Sequence, residues 1–387
     1  MIIVKEVSTR KDRREFLDFP LKLYRGNPCF VPPLYADEKK IFRKDYVYND
    51  CCEAVYFNAY DGTGKMVGRI SGIIQRAANE KNGERRARFT RFDSIDDPEV
   101  AAALFGAVEE WALSKGMDTV CGPLGFSDLE REGLLIEGFD QPSTFEEQYN
   151  ADYYQNLIEN LGYVKEVDWF ESQLRYPSPE RVAELEKAAE LVAKRYKLRF
   201  GEARSINDFL KKYADDFFRL IDLSYDNLYG TVPFTDGMKK MTIDNFKLLL
   251  DLRFVSVILD ADGKVVCIGL CIPSISEAIR GSDGHLTPAA LVRILRAKAH
   301  PKVIDLALVG VDPEYANRGI PIMMIAGMMK MLAEEGVEYA ETNLNLEDNY
   351  NIRNMWKRFE QKENKKRRAY VKRLTVKGKA EDGKDNS

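Results

Sequence analysis

Histidine is nearly missing from this chain: its 387 residues include His285 and His300 and no others. A histidine-rich metal site is thereby excluded, and a histidine-based triad has two candidates. Both lie in GHLTPAALVRILRAKAH, shortly before Pro288 and directly before Pro301, where they read as loop residues or helix-end cations. The six cysteines, at 29, 51, 52, 121, 267 and 271, show no metal-binding spacing and read as reduced thiols. No apolar run approaches the roughly 20 residues that cross a bilayer. The first residues, MIIVKEVSTRKD, lack the basic and apolar regions of a signal peptide and read as a strand. A cytoplasmic chain with no transmembrane segment is expected. Neither sign of charge dominates: 58 basic against 62 acidic residues give a net charge of −4, with no global pull towards nucleic acid or anionic membrane. With 45% hydrophobic and 31% charged residues, the composition suits a folded globular chain.

One plan is present twice. EAVYFNAY and MVGRISGII flank DGTGK, a hairpin signal, and FVSVIL and VVCIGLCI flank DADGK in the same way. A strand (ARFTRF; VIDLALVGV), a helix (PEVAAALFGAVEEWALSKG; PIMMIAGMMKMLAEEG) and a strand (DTVCGPL; YAETNLN) follow each hairpin. Each half then ends in a helix and strands. The length suits two domains, expected at 1–176 and 177–374. Pro177 and Pro179 mark the join, with Ser178 placed to cap the next helix. The polar end, 375–387, is expected to be disordered. HLTPAALVRILRAKAHPK has no counterpart in the first half and is either a substrate-side helix or a neutral insertion. GPLGFSDLEREGLLIEGFD, punctuated by glycines, is either a long loop over the second half's site or a surface loop.

The stretch VGVDPEYANRGIPIMM carries the chemistry. A buried strand bends at Gly319 and a helix opens with Pro321 in its first turn, where a missing N–H costs nothing. The amides of Asn317, Arg318, Gly319 and Ile320 converge before the positive end of that helix, a favourable place for phosphate. The equivalent first-half loop, FDSIDDPEVAAAL, has no glycine. Its Asp93, Asp96, Asp97 and Glu99 would repel a diphosphate.

The order strand, bend with Arg-Gly, helix, strand, then N..I...W resembles the GNAT superfamily of acyl-CoA N-acyltransferases, most clearly over residues 250–374. The resemblance implies an α/β (α+β) fold with two GNAT-like domains, each a mixed, mostly antiparallel sheet flanked by helices. Within the superfamily, GPLGFSDLEREGLLIEGFD and ETNLNLEDN resemble a group of tandem-domain bacterial proteins. The family's loop pattern Q/R-x-x-G-x-G/A falls on Ala316 to Pro321. The middle glycine matches, whereas Ala316 lacks a polar side chain and Pro321 lacks a donor. The resemblance further implies acetyl-CoA or another acyl-CoA as co-substrate, no metal, and Val309, Gly310 and Val311 offering backbone groups to pantetheine. Asn349 is a further candidate for cofactor contact.

Acyl transfer to an amine needs a base, donors for the oxyanion and a proton for the leaving thiolate. Glu341, an acid within a strand, is the first candidate base; Glu347 lies at the following turn. The family's tyrosine acid falls on Trp356 here, whose indole is no useful acid, leaving Tyr350 or Tyr370 as substitutes. The basic run Lys362 to Arg373 reads as a solvated strand edge, with a role near an anionic substrate as the alternative. The expected activity is acyl-CoA-dependent N-acylation of a small-molecule, amino-acid-like or lipid-type amine, with no nucleic-acid partner. The alternatives are a catalytically degenerate binding protein of the same fold and an aminoacyl- or peptide-type transferase.

Overall fold

Two hairpins begin the two halves, and the same device turns both. In the computed structural model, which describes residues 1–316 and 318–375, Asp61 accepts from the amides of Thr63 (2.9 Å) and Lys65 (3.0 Å). Asp260 accepts likewise from Asp262 (3.0 Å) and Lys264 (2.9 Å). These are side-chain-closed turns of the kind Asp favours.

The first half runs β1 (Ile3–Glu6), α1 (Arg10–Leu23), α2 (Tyr35–Glu38), the hairpin β2 (Cys52–Tyr60) and β3 (Met66–Gln75), then α3 (Arg76–Asn82) and β4 (Arg86–Ser94). It continues through α4 (Pro98–Ser114), β5 (Thr119–Gly122), β6 (Leu134–Glu137), α5 (Tyr154–Glu159) and β7 (Val164–Arg175). The second half opens with α6 (Pro179–Tyr196), which Ser178 caps by accepting from Arg181 N. There follow β8 (Arg199–Phe200), α7 (Ile206–Tyr225), α8 (Asp236–Phe246), the hairpin β9 (Val255–Leu259) and β10 (Val265–Pro273), α9 (Ser276–Arg280) and α10 (Pro288–Ala299). The last elements are β11 (Val303–Val311), α11 (Ile320–Glu335), β12 (Tyr339–Thr342), β13 (Asn345–Leu346), α12 (Tyr350–Trp356) and β14 (Glu360–Arg373).

All strands join one 14-stranded mixed sheet in the order β1-β2-β3-β4-β5-β14-β7-β12-β11-β10-β9-β8, with β6 against β14 and β13 against β7. The pairs β4–β5 and β11–β12 are parallel, and the other pairings are antiparallel. The last strand of the second half, β14, thus lies between β5 and β7 of the first, while β7 carries β12 and β13.

This exchange overturns the expectation of a solvated edge for the basic run. Lys365 and Arg367 have fully buried side chains. Lys365 Nζ lies 3.0 Å from Glu171 of β7 and 2.6 Å from Glu341 of β12, and Arg367 Nε lies 2.6 Å from Glu171. Arg368 makes a two-pronged contact with Asp168 at 2.7 and 3.0 Å. Burial alone would raise the Glu171 carboxyl, but Arg367 and Lys365 hold it below its ordinary value. A local run of seven bases looks like a surface because its neutralising acids come from β7, nearly 200 residues distant, and from β12. The polar end from residue 376 lies outside the described residues.

Such pairs contribute little net stability against an apolar core, but losing one partner strands a buried charge. Arg367→Met is expected to lower unfolding stability by about 3–5 kcal/mol in urea titration. Lys372→Met, removing a partly exposed pair with Glu109, should cost no more than about 1 kcal/mol.

Candidate active site

The parallel pairing of β11 with β12 covers Val303–Leu306 and Tyr339–Thr342. Beyond Leu306, β11 continues against β10, while the other chain leaves towards β13 and β7. The strands therefore splay and open a wedge. Asn343 Nδ2 bridges its apex by donating to Ala307 O (2.8 Å), and Trp356 Nε1 donates to Asn345 Oδ1 (2.9 Å) beside it. A cleft of about 920 Å³ fills the wedge and runs beneath α11. That volume lies in the range of small-molecule and cofactor sites. Much of its wall is apolar, with Ile322, Met324, Met328 and Met331 from α11 and Ile352 and Met355 from α12. The methionine-rich helix thus serves both readings: Met323 and Met329 fill the core, while three other methionines face the cleft.

Ala316, Gly319 and Pro321 stand at one end of the cleft. Gly319 precedes α11 with φ +79°, a conformation other residues rarely adopt, and no side chain caps the helix. A Cβ there would also meet Val192 of α6 at 2.9 Å. The first-turn amides thus lack a capping side chain. Arg318 is exposed, its guanidinium 4.4 Å from the centre of the Tyr315 ring, whereas the Ile320 side chain is buried in the core. Asn317 lies outside the described residues.

Along β11, the Val309 amide points to Tyr225 Oη at 3.4 Å. Ser224 Oγ accepts from the Val311 amide (2.9 Å) and donates to its carbonyl (3.1 Å). Gly310 serves packing, since a Cβ would come within 2.9 Å of Leu220 in α7. Val309, Val311, Gly319, Pro321 and Asn349 are therefore gathered around one cleft. Asn349 also caps α12, accepting from Ile352 N. Glu341 stands elsewhere, its carboxylate taken by Lys365 and Asn364. Glu347 pairs with Lys165 (2.7 Å) at the surface, and Tyr350 is 67% exposed.

In the first half, side chains take up the strand-end groups. Beyond the parallel pairing of Arg86–Arg88 with Thr119–Cys121, Tyr154 Oη accepts from Ser94 N (2.7 Å). Tyr24 Oη donates to Tyr154 Oη (2.8 Å), and Arg69 pairs with Asp93 (2.8 Å). Asp97 caps α4 by accepting from Glu99 N, so that helix end already holds a carboxylate.

Sequence reasoning passed over the groups on the other side of β11. A second cavity, about 90 Å³, shares Val255, Leu270, Ala307, Leu308 and Asn343 with the main cleft. Its remaining wall includes Asp128, Glu130, Glu146 and Glu147 from the first half. The glycine-punctuated loop therefore does reach the second half. A third cavity, about 190 Å³, shares Glu130, Glu146 and Phe246 with the second. Burial pushes Glu146 up to about 7 and Asp128 up to about 6. Asp305 on β11 is buried, and neither carboxylate oxygen has a hydrogen-bond partner among the described residues. Burial, with Glu146 nearby, holds it well above the carboxylate range. Asp305 was detectable as an acid inside VIDLALVGV, the same signal that singled out Glu341. Glu146, Asn343 and Tyr225 carry no such mark.

A folded chain that holds the Glu146 proton up to about pH 7 gains stability that is complete below the ordinary value of 4.5 and lost as pH rises through about 7. Glu146→Gln is neutral throughout. In calorimetric melts it is expected to unfold at a higher temperature than the parent chain at about pH 8 and at the same temperature at about pH 4.

No family model matches the sequence. The chain is 28% identical to protein YghO of Escherichia coli K12 over 382 residues, covering 96% of this chain and 95% of that one. It is 26% identical to the bacterial ceramide synthase of Caulobacter vibrioides over 354 residues, covering 89% and 90%. Among solved structures, a tandem GNAT protein from the clavulanic acid biosynthesis pathway superimposes with a TM-score of 0.55 at 11% identity, over 97% of this chain and 99% of that one. The GCN5-related glucosamine N-acetyltransferase region of a fungal multi-domain β-N-acetylglucosaminidase gives 0.53 at 14% identity, over 96% of this chain and 38% of that one. The chain has the tandem GNAT fold, two related halves sharing one large, mostly antiparallel sheet flanked by helices.

Proposed function

We propose that this chain is an acyl-CoA-dependent N-acyltransferase whose acceptor is a long-chain, lipid-type amine. The observation that carries the reading is the second-half cleft. It begins at the uncapped start of α11, is walled largely by apolar side chains, and ends at Asn343 beside buried carboxyl groups. A diphosphate fits the amides at Gly319 and Ile320 with Arg318 beside them; Pro321 supplies helix geometry but no donor. Val309 and Val311 border the path of a pantetheine arm, with Asn349 on the opposite wall. The methionine-lined part of the cleft suits an acyl chain longer than acetyl, because unbranched thioethers adapt to a flexible occupant. The likeness to a protein named bacterial ceramide synthase points the same way, since a ceramide is the amide of a fatty acid with a long-chain amino alcohol.

Residues of this chain supply each proton transfer. Glu146, which lines the smaller cavity that meets the cleft at Asn343 and is raised towards neutrality by burial, takes the proton released as the amine nitrogen bonds to the thioester carbon. The Val309 amide stabilises the oxyanion. As the carbon–sulfur bond breaks, the Tyr225 hydroxyl, which burial pushes up to about 12, delivers a proton to the thiolate. These assignments replace Glu341, Glu347 and Tyr350 as leading candidates, because those three side chains are engaged or directed elsewhere. A non-catalytic reading draws on Ala316, Pro321 and Trp356, where the family's polar groups are missing.

Thiol release with acetyl-CoA and with long-chain acyl-CoA, over a panel of amines, separates these readings. Long-chain acyl-CoA with a sphingoid-type amine is expected to turn over fastest, and the amide product is identified by mass spectrometry. Acyl-CoA binding without thiol release from any amine favours the non-catalytic reading; transfer from aminoacyl-tRNA favours the aminoacyl type. In calorimetric titration, Gly319→Asp is expected to abolish CoA binding and Asp97→Ala to leave it unchanged. Equal loss in both variants would place the cofactor in the wrong half.

A further inference from the structure

Helix α10 is amphipathic in an unusual sense, because the face it turns to solvent is the apolar one. Ala290 and Ile294 point inwards, while Leu291, Val292 and Leu295 are exposed by 37, 48 and 55% and continue into Leu286 at 43%. The spacing 291, 292, 295 is one helical stripe. Contiguous exposed apolar side chains of this kind mark interaction surfaces, whereas scattered ones do not.

The helix itself carries bases and no acid, although Asp283 precedes it and Asp251 lies close enough to Lys298 to feel its charge. Between residues 284 and 304 the sequence contains Arg293, Arg296, Lys298 and Lys302 and no acid, although the chain as a whole is net negative. Arg293 donates to the carbonyl of Ala278, and Lys298 to the carbonyls of Leu248 and Leu250. Leu248 is itself 47% exposed, so the apolar surface extends to the turn after α8.

Both ends of α10 are fixed to the wall of the 190 Å³ cavity. At its start, the Gly284 carbonyl accepts from Tyr35 N (3.0 Å), and the His285 ring stacks on Tyr35 at 4.3 Å, next to wall residues Pro33 and Leu34. At its end, Lys298 holds the turn that follows Phe246 and contains Leu249, two further wall residues. That cavity shares Glu146 with the cavity beside Asn343.

We infer that α10 is a membrane-docking helix that lays its Leu291–Leu295 face on an anionic lipid surface, next to the cavity through which a lipid acceptor would approach Glu146. Apolar side chains flanked by bases, with no acid among them, fit the boundary between headgroups and acyl chains. A protein partner would be expected to meet this stripe with carboxylates or a matching apolar face, and nothing in the chain selects such a partner over lipid. Among the described residues no helix is long and apolar enough to cross a membrane, so the contact is peripheral. The acceptor route rests on the proposed acyl transfer; docking itself does not.

Flotation of the full chain with vesicles, in the absence of CoA and amine, tests docking independently of the chemistry. The protein is expected to float with phosphatidylglycerol-rich vesicles, to stay behind with pure phosphatidylcholine, and to be released by salt. The triple variant Leu291→Ser/Val292→Ser/Leu295→Ser and the pair Arg296→Glu/Lys302→Glu are each expected to weaken flotation by about tenfold or more with an unchanged melting temperature. Failure of the parent to float with anionic vesicles, or equal flotation of parent and triple variant, would overturn the proposal. So would a parent dimer in sedimentation analysis that the triple variant dissociates, which would assign the stripe to a second copy of the chain. Acyl transfer in detergent, measured separately, reports on the chemistry whichever way flotation turns out.

Discussion

The insertion of β14 between β5 and β7 is the constraint on which the rest of the molecule depends. It places the basic residues of the second half's last strand against Asp168 and Glu171 of the first, in a setting where an unpaired charge is costly. The halves consequently share one sheet, and their relative position is set by backbone pairing and not by a flexible linker. The same arrangement brings the 123–153 segment of the first half against β11 of the second. Arg367 donates to the carbonyl of Gln148, directly after Glu146 and Glu147.

Each half contains a parallel strand pair at the same place in its strand order, and the two are finished differently. In the first half, tyrosine hydroxyls satisfy the strand-end groups and an aspartate caps the following helix. In the second, the helix start carries no side-chain cap and the strands part around open volume. Neighbouring backbone groups at β11 are still served, by Ser224 and Tyr225 of α7, but these are movable side chains at the edge of a cavity. One half packs aromatic side chains where the other leaves a cleft.

Cleft, carboxylates and α10 are the features from which the proposed acylation of a lipid-type amine is argued. In that proposal the apolar cleft would take an acyl chain, a buried acid with a raised pKa would take up a proton, and the outward apolar stripe would rest on a lipid surface. Each feature alone has a bland explanation. Their adjacency along one path from α11 to α10 supports a common substrate class.

Local patterns determined much by themselves. Asp-Gly turns between β-branched runs specify both hairpins, Ser178 before Pro179 specifies a capped helix, and Gly319 before Ile320-Pro321 specifies a left-handed residue opening α11. Each depends on φ, ψ and hydrogen bonds within a few residues, which is the range over which sequence is read directly. Asp97 and its neighbours likewise announce an acid-capped helix. The basic run of β14 could not be read in that way, because its burial depends on Glu171 and Glu341, supplied by other strands. Glu146 looked like any surface acid, and Tyr225 like the end of an ordinary amphipathic helix. Only the tertiary structure decided that Tyr225 borders the wedge and Glu146 the adjoining cavity, because desolvation and charge pairing depend on which distant atoms surround a side chain.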